Sequence, residues 1–190
     1  MGADPSFAEY ADYLKKRSGL GHIYRRYWLY PRLARMLEGR ALDIGCGIGD
    51  FVAFRSGTVG VDVNPETVAY CQRIGLDAHV MQPDILPFAN ADFDAVVLDN
   101  VLEHLAHPAP LLAEMARVLR AGGHAIVGVP GRKGYASDPD HKCFYDEPAL
   151  VDRMAMSDFE LVRLMHFPLP IRWLDTYARQ YCIYGLFVKR

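Results

Sequence analysis

The stretch Leu42-Asp43-Ile44-Gly45-Cys46-Gly47-Ile48-Gly49-Asp50 decides the fold. Ala41 to Ile44 read as a short buried strand, and three glycines at alternate positions follow directly. Glycine lets the backbone turn sharply and lets a ligand approach with no Cβ in the way. A tight turn packed on glycine would read the same, so the loop needs its surroundings. Its spacing already separates two ligand classes. A dinucleotide site is written GxGxxG, with the pyrophosphate at the N-terminus of the next helix. Here the pattern is GxGxG, Asp50 stands where the third glycine would be, and Asp43 closes the strand. Two carboxylates would repel a pyrophosphate, whereas a ligand carrying an ammonium and a sulfonium would be attracted.

Outward from the loop, short apolar runs alternate with helical patterns. That alternation predicts a mostly parallel sheet covered by helices on both faces. The runs are 41–44, 58–63, 78–82, 93–98, 124–129, 159–167 and 181–188. Several are apolar nearly throughout, as strands buried on both faces are. Leu111, Leu112, Met115, Val118 and Leu119 make one apolar stripe, predicting a helix over 108–119 that Gly122 and Gly123 end. Pro65 opens another, running to Ile74, with Asn64 as its cap. Ahead of the sheet, 6–17 and 22–37 read as two amphipathic helices parted by Gly19 and Gly21. Residues 168–180, rich in aromatic and basic side chains, join the last two strands, which are expected to form an antiparallel edge pair.

The strand ends carry carboxylates. Asp62 closes the second strand, about twenty residues past the glycine loop, where a carboxylate can accept hydrogen bonds from both ribose hydroxyls of an adenosine. After the third strand comes Gln82-Pro83-Asp84-Ile85-Leu86-Pro87-Phe88. Asp84 can accept from an adenine amino group and Ile85 can pack on the ring. After the fourth comes Asp99-Asn100-Val101-Leu102-Glu103-His104-Leu105. Open α/β sheets bind ligands at this carboxyl edge, and polar clusters at four successive strand ends are hard to explain as packing.

Composition agrees. The 190 residues suit one domain, and with 51% hydrophobic residues a full core can form without disulfides or structural metal. No apolar run approaches the roughly 20 residues of a membrane-spanning helix. Residues 1–9 lack the basic and apolar regions of a signal peptide, so a cytoplasmic protein with no membrane insertion is expected. Cys46, Cys71, Cys143 and Cys182 form no CxxC pair and lie apart from clustered histidines, so free, mostly buried thiols are expected. Residues 41–150 carry seven basic against fifteen acidic side chains, while 1–40 carry eight against four. An acidic middle suits a cationic ligand, and basic flanks suit an anionic acceptor. No Lys/Arg run argues for nucleic acid, and none is expected as a partner.

Together these residues resemble the class I S-adenosylmethionine (SAM)-dependent methyltransferases over 41 to about 130, and more loosely to the end. The match comprises 41–49 for the glycine loop, 59–63 for the ribose acid, 82–88 for the adenine segment, 93–105 for the fourth motif, and 117–130 for the helix, turn and fifth strand. The resemblance implies a Rossmann-like α/β fold: a seven-stranded, mostly parallel sheet whose last strand runs antiparallel. One methyltransferase domain would fill 1–190, with 1–38 a helical cap and 39–190 the core. It further implies that Gly45 and Gly47, with Cys46 and Gly49 in the same loop, line the amino-acid end of SAM, with Asp43 near its ammonium. Asp62 and Val63 would hold the ribose, Asp84 and Ile85 the adenine, Asn100 and Val101 the methionine side. Tyr24, Arg25 and Tyr27 are candidates for the lid, Arg25 for the cofactor carboxylate.

Methyl transfer from a sulfonium is an in-line displacement, so positioning and desolvation supply much of the catalysis. An oxygen acceptor of high pKa needs a general base, and histidine suits that role near neutrality. Of seven histidines, His104 and His141 are the candidates. His141 lies in Asp138-Pro139-Asp140-His141-Lys142-Cys143-Phe144-Tyr145, a loop resembling one in relatives that act on sugars and other small molecules. His104, His107 and His141 lack the spacing of a metal site, and no metal is expected. Tyr135, Phe144, Tyr145, Arg172, Trp173 and Tyr177 are expected over the carboxyl edge, fitting a ring, a sugar face or an anionic lipid-linked saccharide. No NPPY-like tetrapeptide follows the fourth strand. The expected reaction is O-methylation of a small-molecule acceptor. Two rivals are an NAD(P)-dependent oxidoreductase, against which the loop spacing speaks, and a non-catalytic partner protein of the same fold.

Overall fold

In a computed structural model of the protein, residues 7, 9, 19–171 and 173–190 are described. Strands β1 (Ala41–Ile44) and β2 (Thr58–Asp62) are buried at every residue, which is why they run through the interior of the sheet. They are joined by β3 (Ala78–Val80), β4 (Phe93–Asp99), β5 (Leu119–Pro130), β6 (Phe159–Phe167) and β7 (Cys182–Lys189). The order is β3-β2-β1-β4-β5-β7-β6. Strands β1 to β5 pair in parallel, and β7 inserts between β5 and β6, antiparallel to both. The last strand alone therefore runs against the others, as expected. The order reverses direction at β1 and β4, and at such a switch point the two following loops part and leave a crevice.

The helices are α1 (Gly19–Tyr24), α2 (Tyr30–Ala34), α3 (Asp50–Phe54), α4 (Pro65–Arg73), α5 (Ala109–Val118), α6 (Arg132–Tyr135), α7 (Glu147–Ala155) and α8 (Leu174–Tyr177). Asn64 caps α4 by accepting from the Glu66 N–H at 2.9 Å, and Leu111, Leu112, Met115 and Val118 bury the predicted stripe of α5. One face of the sheet carries the larger core, built on β4, β5 and α5. The other carries Leu29, Tyr30, Leu33 and Leu37 from the N-terminal helical segment, packed with Phe51, Val97, Ile126 and Tyr184.

Three local expectations need correction. The helix predicted over 22–37 begins at Gly19 and ends at Ala34, so Gly19 and Gly21 lie within it. Between α1 and α2 a single π turn (Arg25–Leu29) widens the helix just before Pro31, whose missing N–H cannot continue the regular ladder. Helix α1 buries no residue of its own; the helical path runs on from it into the buried Leu29, Tyr30 and Leu33. The second correction concerns Gly122 and Gly123. Helix α5 stops at Val118, and both glycines lie in the irregular start of β5, where Gly122 takes φ 71° and the register with β4 shifts. The third is β3, which ends at Val80; Gln82 instead bridges Ile85 across a tight turn. The helix predicted over 6–17 lies outside the described residues except for Phe7 and Glu9. Among the described residues no helix is long and apolar enough to cross a membrane.

Candidate cofactor and acceptor site

The glycine loop leaves β1 through two hydrogen bonds to one carbonyl: the N–H groups of Gly45 and Cys46 both donate to Val61 O, at 2.8 and 3.0 Å. Gly45, Gly47 and Gly49 all have positive φ (74°, 54° and 78°). A Cβ at Gly45 would also overlap Val101 Cγ2, so the loop and the segment after β4 touch only because that position is glycine. Val101 thus packs against the loop. Asp62 fastens the turn: its Oδ2 accepts from the Gly47 N–H at 2.8 Å and its Oδ1 from the Asn64 N–H at 2.9 Å. The sequence assigned Asp62 to a ligand; the structure adds this bracing role. A carboxylate has about four lone-pair sites, so acceptor capacity remains.

The crevice between β1 and β4 has an empty volume of about 630 Å³, counted with the solvent at its mouth. Asp43, Gly45, Cys46, Gly47 and Asn100 line it, as do Asp50, Asp99, Arg25 and Tyr30. Asp43 is buried, and burial raises its pKa well above the usual carboxylate value; Asp99, Asp62 and Asp50 add repulsion. Burial likewise raises Asp62, against the backbone hydrogen bonds that hold it. Asp99 accepts from Tyr184 Oη at 2.7 Å and from Asn100 Nδ2 at 2.8 Å. Arg25 comes from the π turn and hydrogen-bonds the Tyr30 side chain; burial opposes its charge, but Tyr30, Asp99 and Tyr184 hold its pKa above the ordinary value.

Other predicted residues stand outside the lining of this crevice. Gly49 opens α3 as its left-handed cap. Val63 follows β2 and is 43% exposed. Asp84 is half-buried at φ 60°, and Ile85 beside it is 54% exposed. Of the lid candidates, Arg25 reaches the crevice, Tyr24 packs against the helix–sheet core, and Tyr27 is exposed.

Beyond Asn100 a 3-10 turn (Leu102–His104) faces the loop after β5. The Glu103 carbonyl accepts from the N–H groups of Lys142 and Cys143 at 2.7 and 3.0 Å, tying the two segments together. This sets His104 against His141 with ring centroids 4.6 Å apart. His141 stacks on Tyr135 and its Nδ1 lies 2.8 Å from the Tyr135 carbonyl. Its Nε2 lies 3.8 Å from Glu103 Oε1 and 4.0 Å from Asp138 Oδ2. The Glu103 side chain is 1% exposed and neither carboxylate oxygen has a hydrogen-bond partner. Burial pushes its pKa up to about 8, with Asp99 and Asp138 adding to the rise. Burial also lowers the pKa of His104, and His141 adds to that fall. The two predicted histidines thus meet, whereas His107 is exposed. In the sequence Glu103 stands beside His104 in the cluster after the fourth strand, but nothing there signals a carboxylate buried without a partner. Tyr145, expected over the carboxyl edge, is buried in the core. Trp173 and Tyr177 are exposed on and beside α8, and Arg172 lies outside the described residues.

Comparison with known proteins bears on the fold and the family. Residues 42–127 match the family model described as a methyltransferase domain. A probable S-adenosylmethionine-dependent methyltransferase of Mycolicibacterium smegmatis is 33% identical over 133 residues, covering 63% of this chain and 52% of that protein. The fatty-acid O-methyltransferase of the same organism is 31% identical over 142 residues, covering 68% and 51%. The chain therefore spans about half the length of these curated relatives. In overall fold it is similar to the protein solved in complex with the Haloferax volcanii Trm112 methyltransferase activator, with a TM-score of 0.76, 17% identity and 99% of each chain covered. Glycine loop, strand-end carboxylates, switch-point crevice and these matches lead to one conclusion: residues 42–127 form a methyltransferase domain similar to those of SAM-dependent methyltransferases.

Proposed function

We propose that this chain transfers a methyl group from SAM to an oxygen atom of a small-molecule acceptor. The observation that carries the reading is the acidic crevice at the switch point, where Asp43, Asp50 and Asp99 share the lining with the glycine loop and Asp62 fastens that loop. Carboxylates gathered in a partly desolvated cleft repel one another and favour a cationic ligand. SAM supplies an electrophilic methyl on a sulfonium. In this assignment Asp43 faces the ammonium, Arg25 the carboxylate, Asp62 the ribose, Asp84 and Ile85 the adenine, and Asn100 the sulfonium side. The glycine-lined wall brings backbone rather than side chain against the ligand, which positions it and excludes water.

The acceptor approaches over the loops after β4 and β5. His104 and His141 stand there as the groups to take a hydroxyl proton. A fatty-acid O-methyltransferase among the relatives supports an oxygen acceptor, and the exposed Trp173 and Tyr177 fit an acceptor with an apolar or ring face. Isothermal calorimetry with SAM, S-adenosylhomocysteine (SAH), NAD and NADP tests the cofactor. Micromolar SAM or SAH binding without a nicotinamide response is expected. A nicotinamide response alone would overturn the reading in favour of an oxidoreductase, and no binding at all in favour of a non-catalytic partner protein. Methyl transfer from labelled SAM to a panel of fatty acids, sugars and phenols then tests the acceptor.

A further inference from the structure

We propose that Glu103, His104 and His141 bind one divalent transition-metal ion, of the Zn²⁺ or Co²⁺ kind, beside the cofactor crevice. One ligand atom from each of the three residues lies within 4.8 Å of the others. Metal–ligand bonds of about 2.0–2.2 Å put neighbouring donors of a tetrahedral site roughly 3.5 Å apart, so modest side-chain rotations close the set.

The strongest argument is Glu103. A buried carboxylate with no hydrogen bond is rare, because burying charge without a partner is costly. No Lys or Arg pairs with it among the described residues; its own backbone N–H gives its charged form some support without completing a hydrogen bond, and His141 Nε2 approaches to 3.8 Å. His141 is oriented for the role. Its Nδ1 can only donate to the Tyr135 carbonyl, since that oxygen is an acceptor, which leaves the Nε2 lone pair directed at Glu103 and Asp138. A lone pair facing two carboxylates calls for a proton or a metal cation between them, and the metal titration separates the two. An imidazole anchored through one nitrogen to a backbone carbonyl is also how metal-ligating histidines are commonly fixed. The cluster is built rather than accidental, because the paired hydrogen bonds from Lys142 and Cys143 to the Glu103 carbonyl lock the two donor segments together. Two imidazoles and one carboxylate suit borderline divalent ions and leave positions open for an acceptor oxygen.

Binding of the ion is independent of the proposed methyl transfer. Only its use rests on that reading, where coordination would activate the acceptor oxygen in place of proton uptake by a histidine. The full chain, stripped with a chelator and dialysed, is titrated with Co²⁺ while its visible absorption is followed, and reloaded Zn²⁺ is counted by mass spectrometry. One equivalent per chain with ligand-field bands is expected. Glu103→Gln, His104→Ala and His141→Ala should each weaken Co²⁺ binding by at least about tenfold. His107→Ala, at an exposed position outside the cluster, should leave it unchanged. Circular dichroism and SAH titration of the same samples show whether each variant is folded, and Glu103→Gln keeps the side chain's size while replacing a carboxylate oxygen with an amide nitrogen. Absence of stoichiometric metal in the unsubstituted chain, or undiminished affinity in Glu103→Gln, would overturn the proposal. Metal binding without SAH binding would keep the site and remove the methyltransferase reading; SAH binding without metal would do the reverse.

Discussion

At the scale of single residues, Asp43 sets function against stability. Burial and the neighbouring Asp99, Asp62 and Asp50 raise its pKa in the native state. Between the ordinary carboxylate pKa and that raised value, the native state holds a proton that the unfolded chain has released. Native stability therefore falls as pH rises through this window. Asp43→Asn should flatten that part of the pH profile and make the ligand-free chain more stable at pH 8, while abolishing SAM binding. Denaturant melts from pH 4 to 8 check the first point and calorimetry the second; an unchanged slope would mean that Asp43 is not buried in its charged form. Asp62 carries a different load, because it braces Gly47 and is assigned to the ribose. Asp62→Ala should weaken SAH binding by about 1.5–3 kcal/mol through lost charge-assisted hydrogen bonds. If the loop alone mattered, loosening it would weaken adenosine and homocysteine fragments alike. A ribose contact predicts that adenosine suffers more.

At the scale of elements, the N-terminal helical segment is the most informative. It lies on the sheet face across β1, β4, β5 and β7, with Leu33 fully buried. Its π turn brings Arg25 into the crevice, while Trp28 Nε1 donates to the Pro168 carbonyl at 3.0 Å and ties the segment to the loop after β6. Leu33→Ala should cost about 2–5 kcal/mol if the segment folds with the sheet. A two-state denaturant transition shifted by that amount is the expected outcome; a small loss confined to helical signal would mean that the segment folds separately. This element also shows where sequence reading stopped. Its amphipathic pattern announced a helix, but Gly19 and Gly21 read as a break because glycine propensity is a local signal, whereas the helical path they open is anchored by burial from Leu29 onward. The glycine loop was legible because positive φ at Gly45, Gly47 and Gly49 demands one residue type at each position.

At the scale of the molecule, cofactor and fold should be coupled. The crevice is lined from the loop after β1, the end of β4 and the N-terminal helical segment together, so a ligand there ties parts of the chain far apart in sequence. SAH at a hundred times its Kd should stabilise the chain by about 2.7 kcal/mol, and hydrogen exchange should slow in residues 19–34 as well as 45–50. Protection limited to the glycine loop would show that the helical segment does not close over the ligand. The acidic middle of the chain supports the same picture, since a bound cation relieves repulsion that the ligand-free protein carries.

What the sequence determined by itself was whatever is local or periodic. The apolar runs set the strands, the stripe on α5 set its buried face, Asn64 set a cap, and the alternate glycines with Asp43 and Asp62 set the kind of ligand. These depend on neighbours a few positions away, so the order of side chains carries them. Only the tertiary structure decided what depends on distance in space. It inserted β7 between β5 and β6, set Tyr184 against Asp99, brought Arg25 over the crevice, and placed His141 against a buried Glu103 some forty residues earlier in the chain. Whether a carboxylate is solvated, paired or left without a partner depends on which segments fold around it, and no spacing along the chain encodes that.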